Sequence, residues 1–151
     1  MRERGRSSSL GPTRERGTAL LLFPAAVMVL MVLAAIAVDL TSIHLARREV
    51  YRIASQAADD AAAMIDHHSL RTGDLRTIDL SAATRLVRGE LTVAKMPGAI
   101  VDGPRVRLGP RPGTVEVTLT ISVEHFFAKA IPGADTSERI TVDVVGELLD
   151  D

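Results

Sequence analysis

A run of twenty residues without a charge, Ala19 to Val38, dominates the hydrophobic pattern of the chain. Folded as a helix, a run of this length extends about 30 Å, the thickness of the hydrocarbon core of a bilayer. Pro24 lies near the start of the run, where a proline costs little hydrogen bonding. The pattern therefore predicts a transmembrane helix over residues 18–40.

From Asp39 onward the apolar residues thin to a stripe with spacings of three, four and seven, which is typical of a helix with one buried face. The stripe comprises Ile43, Ala46, Val50, Ile53, Ala57, Ala61 and Met64. Apart from Pro24, no Gly or Pro interrupts Thr18 to Ile65. We therefore expect one helix of about 48 residues and about 70 Å, whose extracytoplasmic continuation covers residues 41–66.

Small residues recur at intervals of four along this continuation, and they are Ala54, Ala57, Ala58, Ala61 and Ala62. Small side chains let a second helix approach closely, so the pattern predicts a face that packs against a helix of a partner subunit. The alternative is that alanine serves only as a strong helix former, in a chain with 16 Arg against 2 Lys.

Residues 67–98 combine polar and helical signals. Asp66 to Asp79 breaks the stripe and predicts a loop, whereas Leu80 to Leu91 predicts a short helix capped by Asp79 or Ser81.

Residues 99–151 change to glycine, proline and β-branched residues, which indicates a small β-rich domain. Thr114 to Val123 alternates apolar and polar residues throughout, and shorter alternating segments lie at Arg105 to Leu108 and Arg139 to Val145. Three antiparallel strands with one apolar face need a cover, and the helix stripe can provide it. The predicted fold class is α+β, with a long N-terminal transmembrane and amphipathic, pilin-like helix packed on a small antiparallel sheet.

Charge predicts the orientation. Residues 1–17, a polar segment expected to be a flexible cytoplasmic tail, hold five Arg and two Glu, whereas Asp39 to Asp151 holds 13 basic and 17 acidic residues. The basic flank favours a single-pass protein with its N-terminus in the cytoplasm and its C-terminal domain outside.

An alternative stays open, because Ala35-Ile36-Ala37 matches the small-x-small pattern of signal-peptidase sites. Cleavage after Ala37 would release a secreted or anchored binding module that begins at Val38.

Candidate chemistry is sparse. The chain has no cysteine, no Gly-x-Ser-x-Gly elbow, no Walker loop and no Gly-x-Gly-x-x-Gly. His44, Asp66, His67 and His68 lack the spacing of a metal site, and no basic stripe with interleaved aromatics indicates nucleic acid. We expect a protein without enzymatic activity, cofactor, metal or nucleic-acid partner, and no small-molecule substrate is identified.

Phe126-Phe127 is the candidate docking feature of the β-rich region. Either one ring caps the small core, or both rings are exposed and dock to a membrane or a partner protein.

Several motifs together resemble the TadE/TadG-like proteins of bacterial tight-adherence (Flp) pilus systems. They are Arg16-Gly17, Val38-Asp39-Leu40, Leu45-Ala46-Arg47-Arg48, the segment Gln56 to Ala62, and the strand Thr114 to Val123 followed by Phe126-Phe127-Ala128. The resemblance covers most of Gly17 to Val145. It implies a protein of the bacterial cell envelope, pilin-like or pilus-assembling, whose partners are other pilus or secretion-system subunits.

Gly17 stands where prepilins of this kind are cleaved, and those prepilins carry a glutamate five residues later. Here that position is Leu22. We therefore expect an uncleaved membrane anchor rather than a processed filament subunit.

Overall fold

The structure, a computed structural model, describes residues 15–73, 77–130 and 132–148. The chain divides into two compact units, Met1–Ala37 and Val38–Asp151. Residues 1–14 of the predicted cytoplasmic tail lie outside the described residues. Residues 15–17 of that segment belong to the first helix.

Helix α1 spans Glu15–Ala62 and is 48 residues long. Each end lies three residues before the corresponding end expected from the sequence, Thr18 and Ile65. In the first unit its described side chains are largely exposed, with Phe23 at 74%. Among the described residues, α1 is long and apolar enough, by length and composition, to cross a membrane.

The second unit contains the rest of the described structure. Helices α2 (His67–Thr72) and α3 (Leu80–Val93) precede strands β1 (Ala99–Leu108), β2 (Thr114–Glu124) and β3 (Ser137–Glu147), with a 3-10 turn at Ala128–Ala130. The strands form one antiparallel sheet in the order β1-β2-β3. The long helix packs on this small sheet, which confirms the predicted α+β class.

Strand β2 shows the alternation that its sequence predicts. Val117, Leu119 and Ile121 are fully buried, whereas Thr118 and Thr120 lie half-buried on the opposite face. On β3, the buried positions are Ile140, Val142 and Val144. The two strands pair without a register shift from Thr114 to Glu124. One face of the sheet is therefore apolar, as expected.

The helix stripe covers that apolar face. The stripe residues Ala46, Val50, Ile53, Ala57 and Ala61 are buried in the same hydrophobic cluster as the inner face of the sheet, and Ile43 and Met64 pack against it. Helix α3 adds Ala83, Val87 and Leu91 to the cluster. The structure confirms the prediction that the helix stripe covers the apolar face of the sheet.

Helix and sheet meet at backbone distance near the end of β3. A Cβ on Gly146 would overlap the carbonyl group of Ala58 and the amide nitrogen of Asp59. The next amide, of Glu147, donates to the Asp59 carboxylate at 3.4 Å. This approach requires glycine on the strand and a small residue on the helix.

The segment predicted as a loop between Asp66 and Asp79 contains helix α2, which is a correction. The Asp66 carboxylate accepts the amides of His68 and Ser69 at 3.0 and 3.2 Å, and Gly73 ends the helix with φ of 77°. An N-cap aspartate and a terminal glycine are signals in the sequence, but six residues are too few for a 3.6-residue period to be visible.

Further bounds differ from the prediction, and β3 runs two residues longer at each end than expected. Asp79, rather than Ser81, caps α3 by accepting the amides of Ser81 and Ala82, and α3 runs two residues longer than expected. Strand β1 begins at Ala99 instead of Arg105. It pairs with β2 both before and after a register shift at Asp102–Arg105, so the paired strand extends further toward the N-terminus than its alternation predicts. Gly103 takes a φ of 94° within that shift.

Replacing Gly146 with alanine should destabilise the second unit by about 1 to 3 kcal/mol or more, because the added Cβ must displace helix backbone. Gly89→Ala is the matched control: Gly89 lies on α3, and a Cβ added there would meet no atom within 4 Å, so its substitution should stabilise by up to about 1 kcal/mol through helix propensity. Urea denaturation in detergent micelles, followed by circular dichroism, measures both. Equal effects would contradict the close approach of helix and strand.

Candidate functional site

The loop after β2 is bound to helix α1 through one carboxylate. Asp39 accepts the backbone amides of three successive residues: Phe126 at 2.8 Å, Phe127 at 3.1 and 3.2 Å, and Ala128 at 3.0 Å. Both carboxylate oxygens take part, and Asp39 is 8% exposed. Successive amides that converge on one anion form the concave arrangement known as a nest.

The chain on either side of these amides is fixed as well. The amide of His125 donates to the carbonyl of Thr136 at 2.9 Å, and the ammonium of Lys129 forms an ion pair with Glu124. Lys129 also lowers the pKa of the Glu124 carboxyl, mainly through this hydrogen bond. The loop is therefore a defined structure rather than a loose connection.

Both phenylalanine rings of this loop are exposed, Phe126 at 71% and Phe127 at 49%. The expectation that one ring caps the core is thus corrected. Strand β2 ends at Glu124, so its alternation no longer directs a side chain into the core, and the amides of both residues are turned to Asp39. The alternative stated with it, exposed rings available for docking, fits the structure.

An open groove of about 840 Å³ lies beside this loop in the second unit. Its lining combines residues of α1, of the segment before β1, of the end of β2 and of the loop after it, among them Leu45, Ala46, Pro97, Val123 and Phe126. Leu45 is itself 60% exposed. The groove and the loop together form an apolar surface suited to contact.

The alanines predicted to meet a partner helix are placed elsewhere. Ala54, Ala57, Ala58, Ala61 and Ala62 are at most 1% exposed and belong to the core of the chain itself. The neighbour that their small size admits is the sheet, as the contact of Ala58 with Gly146 shows. We therefore correct the prediction that this face packs against a helix of another subunit.

The other sequence candidates are dispersed. His44, His67 and His68 are exposed, Asp66 caps α2, and the described residues hold no group of three metal-ligating side chains. Gly17 lies within α1, and Ala37 is the last residue of the first unit.

Sequence reasoning does not find Asp39 as a binding residue. Its partners lie 87 to 89 positions later in the chain, beyond the reach of any local pattern. The signal that the sequence does carry is the position of Asp39 as the first charged residue after the apolar run.

A carboxyl pair connects the outer face of α1 to α3. Burial raises the pKa of the Glu90 carboxyl above its ordinary value, and the charge of Asp60 and a hydrogen bond with it raise that pKa further. Protonated Glu90 can donate to the Asp60 carboxylate. By contrast, the Ser81 hydroxyl, which donates to Asp79 at 2.7 Å, lowers the pKa of that capping carboxyl.

Comparison with protein-family models, with curated proteins and with solved structures gives no match to this chain.

The Glu90–Asp60 pair generates a pH prediction. Because the pKa of Glu90 is raised in the folded state, the folded protein binds this proton more tightly than the unfolded chain. The contribution of Glu90 to stability must then fall as the pH rises from the ordinary glutamate value through the raised one. Glu90→Gln keeps a donor for Asp60 without the charge, so it should remove this part of the pH dependence and stabilise at neutral pH by up to about 1 kcal/mol, since solvent screens a partly exposed pair.

Thermal unfolding at a series of pH values, from about 4, near the ordinary pKa of a glutamate, up to about 8, measures the effect. Glu138→Gln, at an exposed position of β3, controls for loss of one negative charge and should keep the wild-type pH profile. A Glu90→Gln profile parallel to that of the wild type would contradict the assignment.

Proposed function

We propose that the chain is a non-enzymatic, single-pass protein of the bacterial cell membrane, with a cytoplasmic N-terminus and an extracytoplasmic α+β domain. In this proposal it is a structural or assembly component of a tight-adherence pilus or a related secretion system. The resemblance of its motifs to TadE/TadG-like proteins supports this function.

The observation that carries the proposal is the composition of helix α1. Its first part bears the uncharged run, and its later part supplies the stripe that covers the sheet. A single helix that serves as membrane anchor and as the spine of a small domain is the arrangement expected of a pilin-like protein. Such a protein needs no active site, and the described residues offer a contact surface instead.

The partner-binding surface in this proposal is the exposed side of α1 beyond Asp39. Leu45, Arg48, Tyr51 and Arg52 are exposed there, with Leu45 at 60% and Tyr51 at 56%. Leu45, Tyr51 and Arg52 each lie three or four residues from Arg48, so the four positions share one side of the helix. This surface replaces the alanine face as the candidate for contact with other subunits.

Site-specific photocrosslinking in the native bacterium tests this surface. A photoreactive aromatic residue in place of Tyr51 should form adducts with other envelope proteins of the assembly system, because an exposed aromatic position on this side of α1 would lie in the interface. Arg139, exposed on the outer face of the sheet, is the control position and should form few adducts. Adducts of equal yield at both positions, or none at Tyr51, would count against the proposed interface.

One observation favours a second candidate, the secreted or anchored binding module. The boundary between the compact units falls between Ala37 and Val38, the bond that a signal peptidase would cut. Asp39 and its loop partners all lie in the part that would remain.

Topology reporters and intact mass distinguish the two candidates. An extracytoplasmic reporter fused after Asp151 should be active and one fused before Arg14 silent, because the basic flank stays inside. The protein extracted from membranes should have the mass of the uncleaved chain. A mass corresponding to a start at Val38 would establish the second candidate, and an active N-terminal fusion would reverse the orientation.

A further inference from the structure

We propose that the loop containing Phe126 and Phe127 is an interfacial membrane anchor, whose rings enter the boundary between headgroups and acyl chains of the membrane that α1 crosses. Asp39 holds the loop in position. The inference rests on the proposed single-pass function and adds a second point of contact with the same membrane.

The first argument is position. Asp39 follows Val38, the last residue of the uncharged run, so the run leaves the hydrocarbon at this point of the chain. Within the second unit, the amides of Phe126 and Phe127 lie 2.8 to 3.2 Å from the Asp39 carboxylate. The loop is therefore attached at the residue where the chain meets the membrane surface.

The second argument is the apolar surface gathered there. Phe126 and Phe127 are 71% and 49% exposed, and Leu40, next to Asp39 on α1, is 58% exposed. Aromatic and leucine side chains are those that lie in the interfacial layer when a protein contacts a bilayer from one side. The loop is bound to Asp39, which directly follows the apolar run in the chain. This attachment favours lipid over a separate protein as the occupant of this surface.

The third argument concerns the backbone. An irregular loop can approach the hydrocarbon only where its polar groups are satisfied, because each unpaired amide there is costly. The Asp39 carboxylate satisfies three successive amides, and these amides in turn occupy its own oxygens. A buried carboxylate and an irregular backbone, each costly alone near lipid, thus stabilise each other.

Tryptophan fluorescence of the full chain in vesicles tests the anchor, since the native sequence has no tryptophan. Phe126→Trp and Phe127→Trp are each reconstituted in phosphatidylethanolamine–phosphatidylglycerol vesicles. Both should show blue-shifted emission and strong quenching by lipids brominated near the headgroup. Tyr51→Trp, exposed on α1 about 18 Å beyond Asp39, is the matched control and should be quenched severalfold less.

The role of Asp39 is tested in the Phe126→Trp background. Asp39→Asn removes one acceptor oxygen, so quenching should fall toward the level of Tyr51→Trp while the circular dichroism spectrum is retained. Asp39→Glu keeps both oxygens and should restore part of the quenching. Undiminished quenching in a folded Asp39→Asn protein would overturn the positioning role of Asp39.

Failure of the anchor and failure of the proposed function give different results. Phe23→Trp, inside the uncharged run, should be quenched by lipids brominated deep in the acyl chains. Absence of that quenching would defeat the membrane span itself. If Phe23→Trp is quenched while both loop tryptophans emit like Tyr51→Trp, the span stands and the anchor is overturned. A loop emission that shifts only when another envelope protein is added would also overturn it, in favour of protein docking.

Discussion

The second unit depends on helix α1 and strand β3 coming into backbone contact at Ala58 and Gly146. Among the described residues the buried hydrophobic core consists of alanine and aliphatic side chains without an aromatic ring. A core made of such small groups gains its stability from dispersion contacts between closely spaced atoms, which a wider spacing would lose. Close approach is therefore the condition under which the three-stranded sheet, the stripe of α1 and helix α3 can form a stable core.

That condition explains which features could be predicted from the sequence. The stripe from Ile43 to Met64 and the alternation in β2 each repeat with a regular period, so helix, strand and the contact between them follow from pattern alone. The alanines at intervals of four predict a close neighbour equally well. They cannot identify it, because a sheet of the same chain and a helix of another subunit need the same small side chains.

The remaining features depend on single residues. Helix α2 is defined by Asp66 and Gly73 at its two ends. The first part of β1 is defined by pairs with β2 that form before the register shift at Gly103 as well as after it. The site depends on Asp39, whose partners become neighbours only after the whole domain has folded. Exposure of the two phenylalanine rings follows from the same contact, which turns the loop amides inward.

The irregular stretch of β1 has a consequence for the behaviour of the protein at high concentration. In a sheet ordered β1-β2-β3, β1 is an edge strand. Its pairing is interrupted between Asp102 and Arg105, and Pro104 has no amide hydrogen to offer. A bulge and a proline on an edge strand discourage the strand of a neighbouring molecule from adding to the sheet. This side of the domain is thereby protected against edge-to-edge aggregation with other copies of the chain.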